Sequence, residues 1–192
     1  MTERIDIARK IAELYYPLSK ESLHAFADIL VMCKFKKGER VLDAGAVCDS
    51  MLFVEKGMTR QFYFKYEKDL TEHIAYETGL VICLESYFKQ EPTKLMIETL
   101  EQTVLWKIPK KSLEELAEMH HDIGIMYRKF LENSLIVSQE KADSLRFEPA
   151  HERYARLLRK HPEILKRAPL VYIASYLQMT PETLSRVRAS MT

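Results

Sequence analysis

In Ile173-Ala174-Ser175-Tyr176-Leu177-Gln178-Met179-Thr180-Pro181-Glu182-Thr183-Leu184-Ser185-Arg186-Val187-Arg188, the sequence predicts two helices joined by a tight turn. Apolar residues fall on one face of each segment, which is the periodicity of amphipathic helices. Thr180 is suited to cap the second helix, because its hydroxyl can accept a hydrogen bond from a free backbone amide. Pro181 follows at the first helical position, where a missing N–H costs nothing. These features together favour a helix-turn-helix.

The second helix of this motif turns polar and basic side chains outward. A helix-turn-helix reads base edges with residues near the N-terminus of that helix. Arg186 is the first candidate for a base contact, bidentate to a guanine. Gln178 occupies the turn site that glycine usually holds, so it must accept a left-handed or strained conformation. The alternative is an ordinary helical hairpin with solvated arginines. The candidate DNA-contacting residues are Ser175, Thr180, Pro181, Glu182, Thr183, Ser185, Arg186 and Arg188.

Charge is distributed unevenly along the chain. The 192 residues carry a net charge of +1, which argues against nonspecific electrostatic binding by the whole molecule. From Arg146 onward, however, nine Lys and Arg face four Asp and Glu, so this part carries +5 and residues 1–145 carry −4. A basic C-terminal part on an acidic body is typical of a sensor joined to a DNA reader.

Other site chemistries are weakly represented. Cys33, Cys48 and Cys83 are widely spaced without a CxxC pair, which favours reduced, buried thiols in a cytoplasmic protein. The six histidines show no HxH or HExxH spacing, so we predict no metal site. The sequence has no Ser/Cys–His nucleophile pattern or phosphate loop, and we predict no catalytic residues and no cofactor. The N-terminus does not resemble a signal peptide, and no apolar run approaches the length of a membrane span.

The periodicity changes three times along the chain. Helices are predicted over 4–16 and 20–32, with Ser19 as cap of the second, and short β-type runs follow between 34 and 108. A long helix is predicted from about Asp122 to Leu145, with more apolar positions than one small core can absorb. The last region reads as short helices over 150–160, 162–167, 170–177 and 181–190.

This order of elements resembles the cyclic-AMP receptor protein/Fnr family of bacterial transcription regulators over nearly the whole chain, and most closely a Bacteroidetes-type subgroup. The resemblance is carried by three blocks: 35–39 and 45–57 in the β region, 97–101, and a C-terminal block of 152–158, 161–163 and 173–188. It implies an α+β fold. Residues 1–116 would form a sensor β-roll of the jelly-roll, cyclic-nucleotide-binding type with flanking helices, 117–146 the linker and long dimerisation helix, and 147–192 a helix-turn-helix domain. Since the sequence ends at Thr192, we expect no full wing.

The resemblance also implies an effector pocket, and here the sequence departs from the family pattern. Cyclic-AMP binders use a Gly-Glu pair for the ribose and an Arg-Ser/Thr pair for the phosphate. The corresponding positions are Ile82-Cys83-Leu84, with Glu85-Ser86 just beyond, and Thr93-Lys94. A lysine cannot reproduce the bidentate fork of an arginine. We therefore expect that the protein does not bind cyclic AMP, and that a pocket around Glu85, Ser86, Thr93 and Lys94 binds another small molecule or none.

The sequence thus predicts a cytoplasmic, homodimeric regulator that binds a palindromic operator in double-stranded DNA. The long helix would form the dimer seam, with Phe130 and Leu131 or Leu135 near its middle. RNA polymerase is a further partner that the resemblance implies, and a membrane is not. Two alternatives remain. One is a ligand-binding sensor whose DNA-binding helix is degenerate and which acts through protein contacts. The other is a cupin-like enzyme, which only the β-roll favours.

Overall fold

A computed structural model describes residues 2–190 of the chain. Within these residues, two helices precede the β region, a short helix interrupts it, and six helices follow its last strand. The helices are α1 (Thr2–Tyr15), α2 (Lys20–Ile29), α3 (Leu84–Lys89), α4 (Lys110–Met119), α5 (His121–Phe147), α6 (Ala150–Lys160), α7 (Pro162–Arg167), α8 (Leu170–Tyr176) and α9 (Pro181–Ser190). The strands are β1 (Val31–Phe35), β2 (Arg40–Leu42), β3 (Ser50–Lys56), β4 (Met58–Lys65), β5 (Lys68–Tyr76), β6 (Leu80–Val81), β7 (Met96–Thr99) and β8 (Thr103–Pro109).

The eight strands form two four-stranded antiparallel sheets. One has the order β1-β8-β3-β6 and the other β2-β7-β4-β5. The connection between β3 and β4 passes from one sheet to the other at Gly57, whose φ is +99°. A Cβ at this glycine would lie 2.5 Å from the Thr103 hydroxyl, so both its conformation and its surroundings require glycine. The predicted α+β fold with a β-roll is confirmed.

The core of the roll lies between the sheets and the helices that flank them. Trp106, Phe53 and Phe26 are almost completely buried there. The α2 helix begins as predicted, because the Ser19 hydroxyl accepts a hydrogen bond from the Ser22 amide at 3.2 Å. It ends at Ile29, however, and not at residue 32. The last predicted helical residues instead belong to β1, which pairs with β8.

A second core links the roll to the C-terminal helices. It contains Met58 and Ile74 from the outer face of the β4–β5 pair, together with Tyr154, Ile173 and Leu184 from α6, α8 and α9. Burying these apolar side chains removes them from water and ties the two regions together. Over residues 2–190, none of the helices combines the length and apolar character that a membrane span requires.

Candidate nucleic-acid interface

Helices α8 and α9 pack against each other around Leu184, which is completely buried. Ile173 and Ala174 of α8 are buried as well, and the small Ala174 side chain permits close approach of the second helix. The predicted two helices and their intervening turn are present, with α8 ending at Tyr176, one residue earlier than expected, and α9 beginning at Pro181.

The turn between α8 and α9 has the conformation that the sequence demands of it. Gln178 adopts a φ of +50°, the left-handed region that usually favours glycine. The Met179 amide donates to the Ala174 carbonyl at 2.9 Å, which closes the end of α8. Arg153 of α6 donates hydrogen bonds to two carbonyls at this turn: Nε to Leu177 at 2.9 Å and Nη2 to Gln178 at 3.4 Å. Arg153 was not predicted as a site residue, since its role depends on the packing of α6 against the turn.

The N-terminus of α9 is capped as predicted. The Thr180 hydroxyl oxygen accepts a hydrogen bond from the Thr183 amide at 3.2 Å. Glu182 lies in the first turn, and hydrogen bonds from its own backbone amide and from Thr180 lower the pKa of its carboxyl. Its negative charge complements the positive end of the helix. The first turn of α9 is therefore held in one conformation before any ligand is present.

The outward face of α9 carries the residues that the sequence singled out. Pro181, Glu182, Ser185, Arg186 and Arg188 are exposed, and Thr183 is half-buried. The Arg186 guanidinium lies over the first turn, where Nη2 donates to the Thr183 hydroxyl at 3.4 Å. This face is thus accessible and carries Glu182 and Arg186, one turn apart on a capped helix, whereas Arg188 lies in the last turn of α9.

Ser175 does not belong to this face, and its prediction as a phosphate contact is corrected. Its hydroxyl accepts a hydrogen bond from the Thr71 amide of β5 at 2.8 Å. The serine lies on the side of α8 that packs against the roll. Sequence periodicity could not reveal this, because the partner is a strand about a hundred residues away.

Arg60 is the centre of the contact between the roll and α8. Its side chain, 2% exposed, extends from the outer face of β4. The guanidinium forms two bonds of 2.6 Å to Asp69 and one of 2.6 Å to Glu98. It also lies 3.9 Å from the Phe62 ring centroid and 3.5 Å from that of Tyr172 in α8. Although burial disfavours its charge, the bonds to Asp69 and Glu98 raise the pKa of Arg60.

A second ionic contact flanks the first. Arg167 of α7 donates to Glu77 at 2.7 and 3.0 Å and also bonds to Glu101. Its hydrogen bonds lower the pKa of Glu77 to about 2. Lys141 of α5 bonds to Glu72 in the same region. Part of the positive charge of the C-terminal region is therefore used to hold the roll and is directed away from α9.

The long helix α5 has two different halves. Ile123, Met126 and Phe130 are buried in the core of their own roll, and the Phe130 ring packs edge-on against Tyr15 with centroids 5.5 Å apart. The prediction that Phe130 lies near the middle of a dimer seam is therefore wrong, because its side chain is buried within its own protomer. Farther along, three consecutive apolar side chains are exposed: Leu135 (69%), Ile136 (58%) and Val137 (46%).

The four predicted pocket residues do not form one ligand-binding set. Ser86 is buried, and its hydroxyl donates to the Glu91 carbonyl at 2.6 Å and accepts from the Cys48 amide at 2.9 Å. Thr93 is buried too, and its hydroxyl accepts from the Leu95 amide at 3.0 Å. Glu85 is exposed and pairs with Lys89 at 2.7 Å, and Lys94 is exposed.

The side-chain amide of Gln61 lies in the interior next to these residues. Gln61 of β4 donates to the Ile82 carbonyl at 3.0 Å and to the Cys83 sulfur at 3.2 Å. Residues 82–84 correspond to the Gly-Glu position of cyclic-AMP binders and are called the nucleotide-binding turn below. This turn is thus closed by internal hydrogen bonds. Within residues 2–190, no group of three or more His, Cys, Asp and Glu residues is placed to hold a metal ion.

Comparison with known proteins agrees with this architecture. Residues 32–120 match the cyclic nucleotide-binding domain. FixK2 of Bradyrhizobium japonicum superposes with a TM-score of 0.72 at 17% identity over 85% of this chain and 84% of that one. A structure from Eubacterium rectale assigned to the crp/fnr family of transcriptional regulators gives 0.65 at 17% over 88% and 82%. The c-di-GMP responsive global regulator CLP of Xanthomonas campestris gives 0.64 at 16% over 90% and 91%.

Residues 32–120 are therefore similar to a cyclic nucleotide-binding domain, and the chain has the fold of structures that include a Crp/Fnr regulator across most of its length. Against curated proteins, the sequence has no significant match. The structural likeness extends into the C-terminal helices, because it covers much more of the chain than residues 32–120.

Proposed function

We propose that the protein is a DNA-binding transcription regulator of the Crp/Fnr type, in which α8 and α9 form a helix-turn-helix. The single observation that carries the proposal is that α9 has a capped N-terminus and exposes Glu182 and Arg186 on one face. An arginine there can donate two parallel hydrogen bonds to a guanine in the major groove. Pro181, Thr183, Ser185 and Arg188 border this position, and Thr180 lies at the helix entrance, where phosphate contacts set orientation.

The proposed active form is a homodimer joined along α5. Leu135, Ile136 and Val137 expose apolar surface that a single protomer leaves in water. Burying each of these side chains is worth roughly 1.5–3 kcal/mol when the burial is complete. A two-fold axis beside this part of α5 would cover the same patch on both protomers. It would also bring two α9 helices onto half-sites about one DNA turn apart, roughly 34 Å.

We propose that the domain does not bind cyclic AMP as its effector. The nucleotide phosphate needs a charge-assisted fork, and the buried hydroxyls of Ser86 and Thr93 are already bonded within the protein. Lys94 is the one cation at the corresponding position, and it faces solvent. Any response of this domain to a signal must therefore use other groups than those of a cyclic-AMP site.

Selection of bound sequences from a random duplex pool tests the proposal. The purified full-length protein should enrich a palindromic motif whose half-sites are centred about one helical turn apart. Selection at two salt concentrations separates specific binding from general attraction to phosphates, which weakens steeply as salt rises. Failure to enrich any motif, even at low salt, would favour a sensor that acts through protein contacts.

A further inference from the structure

Two cysteines lie together in the core of the roll, beside the closed nucleotide-binding turn. Cys48 precedes β3 and is 3% exposed, and Cys83 precedes α3 and is 2% exposed. The Cys48 amide donates to the hydroxyl of Ser86 in α3 at 2.9 Å, so the two segments are directly joined. The two thiols are also close enough to interact, since each shifts the pKa of the other.

The surroundings distinguish the two sulfurs. Gln61 Nε2 donates to Cys83 Sγ at 3.2 Å, and Cys48 Sγ donates to the Ser50 carbonyl at 3.4 Å. The hydrogen bond from Cys83 lowers the pKa of Cys48 to about 7, despite the opposing effect of burial. The same bond and burial raise the pKa of Cys83. Cys48 is therefore the more acidic thiol of the pair, and Cys83 is the one that keeps its proton more firmly.

We propose that Cys48 and Cys83 are a redox-sensing pair that a peroxide-class oxidant converts to an intramolecular disulfide. The Cys48 thiolate attacks one peroxide oxygen, the O–O bond breaks, and Cys48 becomes a sulfenic acid with release of water. The Cys83 sulfur then attacks the Cys48 sulfur, the S–O bond breaks, and a second water leaves. The two thiols together lose two electrons and two protons, and hydrogen peroxide is reduced to two waters.

A small oxidant can reach this pair although both sulfurs are buried. The neighbours of Cys48 in the chain, Val47 and Asp49, are exposed, as are residues 43–45 of the same loop. Local opening of this loop is enough to admit a molecule as small as hydrogen peroxide. Larger disulfide reagents need a wider opening. In a reducing compartment, disulfides of this kind are transient and serve as signals.

The pair is placed to influence the long helix, and this step rests on the proposed function. A disulfide would fix the start of α3 to the loop before β3. The α3 residue Tyr87 is completely buried, and its hydroxyl accepts a hydrogen bond from that of Tyr127 in α5 at 3.4 Å. A change in the position of α3 is therefore transmitted to the helix that would set the spacing of the two DNA readers.

Mapping the oxidised thiols by mass spectrometry tests the pair directly in the wild-type, full-length protein. After treatment with hydrogen peroxide at pH 7, remaining thiols are alkylated and peptides are identified. We expect a Cys48–Cys83 cross-linked peptide, lighter by two hydrogen atoms and reversed by dithiothreitol. The Cys48→Ser and Cys83→Ser variants should lose it. The matched control is Cys33→Ser, which removes the half-buried third thiol and should leave it unchanged.

Three outcomes would each overturn the proposed redox pair. They are oxidation confined to Cys33, a disulfide between protomers, and three thiols that stay reduced while the thiol of a control peptide is oxidised. A separate binding measurement on a selected duplex tests its link to DNA. The disulfide should change affinity at least about fivefold, the lower end of allosteric couplings, and Cys83→Ser should not respond. A disulfide without this change would overturn the signalling role alone. A protein that selects no duplex would instead count against the proposed function, while the peptide map would still decide the chemistry.

Discussion

Replacing Arg60 with alanine should destabilise the protein far more than replacing other arginines of the same sheet. Arg60 is 2% exposed, and its removal leaves the carboxylates of Glu98 and Asp69, which are 14% and 33% exposed, without their main cation. Removing one partner of a buried ion pair costs about 3–5 kcal/mol. Because Asp69 can regain water, we take the lower end for the ionic contribution, about 3 kcal/mol.

Stacking adds to this value and extends the effect to the C-terminal region. The guanidinium lies between the rings of Phe62 and Tyr172, and desolvated cation–π contacts are worth up to about 2 kcal/mol. We therefore expect a loss of about 3–5 kcal/mol in the free energy of unfolding. Arg40→Ala is the matched control. That arginine is 34% exposed with ion-pair distances of 3.5 and 3.8 Å, so its removal should cost less than about 1 kcal/mol.

Urea unfolding followed by circular dichroism measures both variants. A double-mutant cycle with Tyr172→Leu should give a coupling energy between Arg60 and Tyr172 of about 1 kcal/mol. Equal losses for Arg60→Ala and Arg40→Ala would refute the reasoning about burial. A coupling energy near zero would show that Arg60 stabilises the roll alone and does not hold α8.

Three further outcomes are expected. Isothermal calorimetry should detect no binding of cyclic AMP at micromolar concentrations, and a micromolar dissociation constant would mean that the closed turn opens to a nucleotide. Replacing the neighbouring Leu135 and Ile136 with glutamate should give a folded monomer by light scattering, because both are exposed in one protomer, and a monomeric wild-type protein would contradict the α5 dimer. Since Arg167 lowers the pKa of Glu77 to about 2 from 4.5, their contact stabilises the fold above pH 4.5, and thermal unfolding should show this contribution being lost as pH falls from 4.5 toward 2. Arg167→Ala should remove that part of the pH dependence, and an unchanged profile would contradict the assignment.

Local sequence signals predicted most of the secondary structure. Each predicted β-type run lies within a strand or overlaps one, and the long helix and the four C-terminal helices were placed to within a few residues. Errors arose where distant partners decide. Val31 and Met32 were predicted to end α2, but they belong to a strand because β8 offers them backbone hydrogen bonds. The six-residue α3 is too short to produce a periodic signal.

The candidate site was predictable in its local geometry and less so in its surroundings. Thr180 as a cap and Gln178 in a left-handed turn both follow from the chemistry of single positions, and both are confirmed. Ser175 and Phe130 were assigned to intermolecular contacts, because sequence gives the face of a helix but not what covers that face. The pairing of Cys48 with Cys83 across the chain left no trace in their spacing, for the same reason.

The base preference of the protein with and without Arg186 tests the central claim most directly. Sequences should be selected in parallel by the wild type, by Arg186→Ala, and by Arg9→Ala, which removes an exposed arginine from α1 far along the chain. The account predicts one relaxed base pair in each half-site for Arg186→Ala, with a loss of about 1–3 kcal/mol on the wild-type sequence, and an unchanged motif for Arg9→Ala. An unchanged motif for Arg186→Ala, or equal weakening on selected and random duplexes, would contradict the assignment of α9 as the helix that reads DNA through Arg186.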